Sequence, residues 1–515
     1  MKNQLALIGG TILTMEDSQP ECTGVLIEKG RITAVGSSEA IAALARERRA
    51  GILDLKGRTA VPGLHDCHVH VMGTGLNATG IDLFDCASVD EVLDKLREGL
   101  KNPGEDWIYG TRLDESRLRE KRPPTAAELD ALSGSRGIFL VDRGLHYTQV
   151  NTAAYNALGL KGDEPGVVRG SGGRPNGRLH GQANGIARSY YNNQMSDARR
   201  EQVIRYTVQQ ALAKGVTTMH GMEGGDMFSD ADIPVLLAMR DQLPLDIVLY
   251  WDTENVEAVR DAGLRAMGTD LLLDGSIGSR TAAFDEPYAD DATSRGVLYY
   301  DSDTITSMIE RALKYGLQSG FHAIGQRGIR QALDCFEAAS AKYPVADHRF
   351  RIEHFGFPDQ RDIDRAARLG VVVSTQPAFT YLRGGPGSVY NERTGDARER
   401  RAYPMRRFLE AGIVLGGGSD SGVTPIDPVL GIHAAVNPPY EENSITATQA
   451  LRMFTIDGAY TAFEEKEKGS IAAGKWGDLT ILSGNPLAAD PKAIKEITVE
   501  MTVKKGEIVY NKGEE

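Results

Sequence analysis

The segment His65-Asp66-Cys67-His68-Val69-His70 places three imidazoles and a carboxylate within six residues. On a strand, residues two apart share a face, so His68 and His70 would converge on one point. Neutral imidazole is the commonest protein ligand for zinc and similar ions, which makes the pair a candidate metal seed. By the same parity His65 faces away or precedes the strand, where a surface or supporting role suits it. Cys67 also points to the opposite side, so packing is expected of it rather than nucleophilic attack. Three later segments add matching chemistry: "SGFHAIG" with His322, "FRIEHFG" with His354 and "VLGGGSD" with Asp420. Each follows an apolar β run. Four imidazoles and one carboxylate can complete a site for one or two divalent ions, with zinc the first expectation.

Such residues converge only if their strands are parallel and end at one rim. The middle of the chain alternates short apolar β runs with helical patterns, the signature of parallel α/β architecture. Candidate strands are Cys67–Met72, Val216–His220, Leu245–Tyr250, Leu271–Asp274, Gly320–His322, Phe350–His354, Val371–Thr375 and Ile413–Gly417. Eight is the number a closed (β/α)8 barrel needs, and such barrels carry their sites at the C-terminal strand ends.

Both chain ends instead alternate apolar and polar residues between glycine turns, predicting one small sheet domain built from both termini, residues 1–60 and 466–515. The barrel would then comprise 61–80 and 197–465. Residues 81–196 form an inserted α/β subdomain, expected over the barrel mouth. It opens with a capping box at Ser88 and Glu91 ahead of Val92, Leu93, Leu96 and Leu100, and carries strand-like "DWIYGTR" and "GIFLVDR".

Against 58 basic residues stand 71 acidic ones, a formal net charge of −13. That argues against nucleic acid or an anionic membrane as partner, since phosphate binding needs a basic field. No run reaches the ~18 apolar residues of a membrane span. Cys22, Cys67, Cys86 and Cys335 lack paired spacing and read as free thiols of a reducing, cytoplasmic compartment. The expected partner is a small-molecule substrate, and a homo-oligomer is compatible with the sequence.

"VPGLHDCHVH" resembles the opening motif of the amidohydrolase superfamily, and the order HxH, His, His, Asp, each after a strand, is similar to that superfamily's. "DGSIGSRTAAFDEPYAD", "HAIGQ", "RIEHF", "STQP" and "GSDSGVTPIDPVLGI" resemble the amidohydrolase family 3 branch, which includes N-substituted formamide deformylases. The likeness runs from about Gly9 to Tyr510. It implies a distorted TIM barrel with a composite β-sandwich and an insert. It also implies a divalent metal held by His68, His70, His322, His354 and Asp420. His146 and Asn151 match the family's "GH-x4-N" segment and would lie near substrate.

The departures from the family pattern are informative. Where relatives carry a lysine that can be carboxylated to bridge two metals, this chain has Asp270, and no lysine occurs between Lys214 and Lys314. Asp270 could supply a shorter carboxylate or be an exposed residue at the start of a strand; His220 and Glu223 are further candidates for bridging or support. The family's "HAIGD" becomes "HAIGQ", placing Gln326 where a carboxylate is usual. Gln326 and Arg280 are candidate substrate contacts, and Tyr288 could shape specificity.

The leading expectation is hydrolysis of a carbon–nitrogen bond in an amide-like substrate. Metal would acidify water and polarise the carbonyl. Asp420 would take the proton and deliver it to the leaving nitrogen, and His354 or His146 would stabilise the oxyanion. Deamination of a heterocycle is the alternative on the same scaffold; Gly325 and Gln326 occupy the place where related deaminases carry a glutamate. A catalytically silent barrel is the third reading.

Overall fold

A computed structural model describes residues 4–101, 107–115, 117–143, 147–170, 172–225 and 228–514. Eight parallel strands form its central sheet: β1 (Leu64–Val69), β2 (Val216–Glu223), β3 (Asp246–Trp251), β4 (Ala266–Leu272), β5 (Gln318–Ala323), β6 (Arg351–His354), β7 (Val372–Thr375) and β8 (Leu415–Gly417). They neighbour one another in chain order, so every connection is a crossover of the kind a parallel barrel requires. Closure falls between β8 and β1. Asp420 N donates to His68 O at 2.8 Å, His70 N donates to Ser421 O at 2.9 Å, and Val69 bridges Ser421. Gly418 permits that approach: a Cβ there would stand 2.8 Å from both the Cβ and the backbone nitrogen of His68. The fold is a distorted (β/α)8 barrel.

Two of the eight strands are displaced from the sequence expectation, and the other six differ from it only at their ends. β1 begins at Leu64 rather than Cys67 and ends before His70, because a helix starts at Val71. β4 runs from Ala266 to Leu272, not from Leu271 to Asp274. Its alternation is broken by a bulge in which Thr269, Asp270 and Leu271 all stand opposite Phe321 of β5. Gly268 (φ +67°) and Thr269 (φ +78°) adopt left-handed backbone there, a conformation that a β-branched residue rarely tolerates. Apolar periodicity cannot register such a bulge.

The chain divides into two compact units. The first comprises residues 1–70, 208–222 and 240–515, and holds the barrel together with a second eight-stranded sheet. In that sheet Thr59–Pro62 pairs in parallel with Gln4–Leu13 and antiparallel with Leu479–Leu482, joining the two chain ends as expected. Leu7, Val25, Ile27, Leu479, Ile481 and Val503 form its apolar core. The second unit comprises 71–207 and 223–239. It contains a six-stranded sheet that includes Trp107–Leu113 and Gly137–Asp142, and the helix Val89–Gly99 capped by Ser88 as expected. No helix among the described residues is long and apolar enough to cross a membrane.

Candidate metal centre

Six buried side chains from five barrel strands meet at the C-terminal rim. His68 and His70 come from β1 and its end, Asp270 from β4, His322 from β5, His354 from β6, and Asp420 from the turn after β8. His70 Nε2 lies 3.1 Å from Asp420 Oδ1 and 3.4 Å from Asp270 Oδ2. His322 Nδ1 lies 3.3 Å from Asp270 Oδ1, and His354 Nε2 is 3.9 Å from the same oxygen. His68 Nε2 is 3.7 Å from Asp420 Oδ1 and 3.9 Å from Asp270 Oδ1. Two tetrahedral ligands at ordinary zinc bond lengths stand about 3.3–3.5 Å apart, so the shorter contacts fit ligands of one ion.

The backbone is bent to make these side chains meet. His354 (φ +69°), Phe355 (φ +48°) and Asp420 (φ +51°) are all left-handed non-glycine residues. Such conformations cost about 1–3 kcal/mol each and persist where the surrounding structure enforces them.

Three of the four imidazoles are oriented from behind, while His322 turns its Nδ1 to Asp270. His68 Nδ1 donates to Glu353 Oε2 at 2.7 Å, and His354 Nδ1 donates to Gln376 Oε1 at 2.6 Å. His70 Nδ1 stands 3.2 Å from Met222 O. These bonds leave the Nε2 lone pairs of His68 and His354 facing the cluster, and His68 Nε2 is buried with no hydrogen-bond partner. With Nδ1 carrying its proton, His354 offers an acceptor at Nε2. That suits a metal ligand.

The electrostatics match a cation site. Burial alone would raise Asp270 and Asp420, yet His322 and His68 hold the first below the ordinary carboxylate range, and His68 and His70 do the same for the second. Burial opposes protonation of His68 and His322. Asp420, Glu353 and Asp270 outweigh it at His68, and Asp270 outweighs it at His322, so both are raised. Positive charge at this point, whether from a cation or a protonated ring, is what two buried carboxylates call for. Burial and the neighbouring His322 push His354 down to about 3. The donor set of four imidazoles and two carboxylates fits one or two divalent ions.

The remaining sequence candidates are placed elsewhere or lie outside what is described. His220 accepts from Arg351 at Nδ1 (2.9 Å), and burial and that guanidinium push its pKa far down. Glu223 accepts from the amides of Val71 and Met72, capping a helix. Asn151 uses its whole amide on backbone: Oδ1 accepts from Ile138 and Ala154, and Nδ2 donates to Ser133 O and Arg136 O. Arg280 pairs with Asp290 at 2.7 Å, and Tyr288 donates to Ala282 O from a buried aromatic cluster. Gln326 opens a helix with its Oε1 buried and unpartnered. His146 lies outside the described residues.

His65 is buried, not superficial, and packs edge-on to His220; Cys67 is buried with its thiol pushed up to about 12 by burial, as packing requires. Sequence reasoning missed Asp66, Arg351, Glu353 and Gln376. Asp66 accepts from Ser419 N and His68 N, tying β1 to the segment after β8. Arg351 and Glu353 are charges two apart on a buried strand, a pattern that marks such a pair in the sequence itself.

The profile of amidohydrolase family 3 matches residues 51–510. An N-substituted formamide deformylase from Arthrobacter pascens is 27% identical over 99% of this chain and 98% of its own length. The Arabidopsis thaliana protein LONG AFTER FAR-RED 3 is 28% identical over 93% of this chain and 87% of its own. Among solved structures, an uncharacterized metal-dependent hydrolase from Pyrococcus furiosus superimposes with a TM-score of 0.81 at 27% identity, covering 94% of this chain and 100% of that one.

Proposed function

The chain belongs to the amidohydrolase family, and from that premise we propose that it hydrolyses a carbon–nitrogen bond of a small amide-like molecule, of the N-acyl, formamide or cyclic amide kind. The observation that carries this reading is Asp420: a buried carboxylate, anionic at neutral pH, held 3.1 Å from His70 Nε2 and 3.7 Å from His68 Nε2. It is the arrangement a general base needs beside a metal-ligating pair. The formamide deformylase relative supports the same bond class.

His68, His70, His322, His354 and Asp420 are the proposed holders of the ion, with zinc the first candidate. When bound, a divalent cation supplies Lewis acidity, polarising a carbonyl and acidifying water. Asp420 takes the proton of the attacking water as its oxygen bonds to the acyl carbon. The same carboxyl then gives that proton to the nitrogen as the carbon–nitrogen bond breaks. Glu353 and Gln376 fix the ring tautomers that leave His68 and His354 with lone pairs toward the centre. A reducing, cytoplasmic location accords with four buried, unpaired cysteines.

The test is turnover of metal-loaded protein across N-acyl, formamide, cyclic amide and carbamate substrates. Asp420→Asn should lower kcat by about 10²–10⁴-fold, the usual worth of a general base. Near-wild-type turnover by that variant would remove Asp420 from its role, and no hydrolysis of any class by the loaded wild type would remove the reaction.

A further inference from the structure

We propose that Asp270 bridges two cations, doing with a protein carboxylate what a carboxylated lysine would otherwise do, so that the centre assembles without carbon dioxide. The proposal rests on the reading above that the cluster holds divalent ions. Asp270 is shared by two histidine pairs: it groups with His68 and His70, and again with His322 and His354. Its two oxygens divide the task. Oδ2 is 3.4 Å from His70 Nε2, while Oδ1 is 3.3 Å from His322 Nδ1. Both separations match the edge of a ligand tetrahedron, about 3.3–3.5 Å, which places one oxygen on each ion.

The backbone explains how so short a side chain reaches. A lysine carbamate extends four atoms further than an aspartate carboxylate. In β4 the bulge opposite Phe321 inserts extra residues immediately around Asp270, with Gly268 and Thr269 in left-handed conformation. A bulge redirects a side chain relative to the strand's alternation. Gly320 makes room for it, since a Cβ there would lie 2.5 Å from Thr269 Cγ2. The left-handed threonine sits directly before Asp270, and the carboxylate it presents groups with the four histidines.

No lysine among the described residues is placed to substitute. Residues 215–313 contain none. The buried Lys468 and Lys504 are both bound to Asp246, at 2.5 and 2.7 Å.

The experiment strips the protein of metal and reloads it with zinc or Mn(II) in buffer purged of carbon dioxide, with and without added bicarbonate. Metal per chain is counted by mass spectrometry, and Mn(II) coupling is read by electron paramagnetic resonance. Wild type should take two ions per chain in either buffer, with a spin-coupled Mn(II) pair. Asp270→Asn should fall to one ion or fewer and lose the coupling. One ion per wild-type chain, a second ion that appears only with bicarbonate, or an undiminished coupled pair in Asp270→Asn would each overturn the bridge. Should Asp270→Asn fail to fold, the count and coupling in wild type decide alone. Two coupled ions with no amide hydrolysis would keep the bridge and sink the reaction assignment instead.

Discussion

Replacing Glu353 by leucine removes a carboxylate with two separate duties, and the structure predicts that the two losses can be told apart. Glu353 accepts from His68 Nδ1 at 2.7 Å and from Arg351 at 3.2 Å, and both Glu353 and Arg351 are fully buried. After the change Arg351 keeps Tyr250 Oη, His220 Nδ1 and Cys67 O as acceptors but has no counter-charge. Breaking a buried pair from one side costs about 3–5 kcal/mol. Losing the group that orients a metal-ligating histidine weakens metal binding about 10–100-fold. The double variant Arg351→Met/Glu353→Leu no longer buries a lone charge. It forfeits three hydrogen bonds worth roughly 1 kcal/mol each, and should be about 0–2 kcal/mol more stable than the single variant. His68 remains unoriented in both, so their metal affinities should be equally weak. Urea denaturation of metal-free protein reads the first quantity, and competition with a chromophoric chelator reads the second. A double variant less stable than the single, or wild-type metal affinity in Glu353→Leu, would refute the division of roles.

Two further substitutions test the surroundings. Asp246 joins Lys468 and Lys504 and, although burial raises it, those lysines hold its pKa well below the ordinary value. A depressed folded-state pKa stabilises above the unfolded value of about 3.9 and is lost as pH falls below it. Asp246→Asn should therefore cost about 3 kcal/mol at pH 7, and its urea midpoint should converge on wild type as pH drops below about 4; a pH-independent gap would contradict the ion-pair assignment. Asn151→Ala should destabilise by about 1–3 kcal/mol, because two amides and two carbonyls lose their partner. It should leave KM unchanged, whereas a substrate contact would raise KM with little effect on the urea midpoint.

The eight strands and their shared rim were legible because most are short apolar runs with a polar residue, at or near the end, that a core would not choose. That logic located His68, His70, His322, His354 and Asp420 together without any knowledge of contacts. It failed where side-chain direction is set by departures from ideal strand geometry. In β6, strict alternation would send Glu353 and His354 to opposite faces, yet both serve the cluster because His354 takes φ +69°. In β4, alternation gave Asp270 no reason to point inward, and the bulge that turns it is invisible to periodicity. Asn151 and Arg280 misled for the opposite reason: their motifs matched a pattern, while their polar atoms are engaged by backbone and by Asp290. Left-handed residues at Thr269, His354 and Asp420 thus mark places where the chain gives up local comfort to bring a polar side chain to the cluster. The same reasoning says where sequence reading of such barrels should look next. A polar residue beside glycine in an apolar β run, as in Gly268-Thr269-Asp270, is a candidate for a bulge that aims it inward.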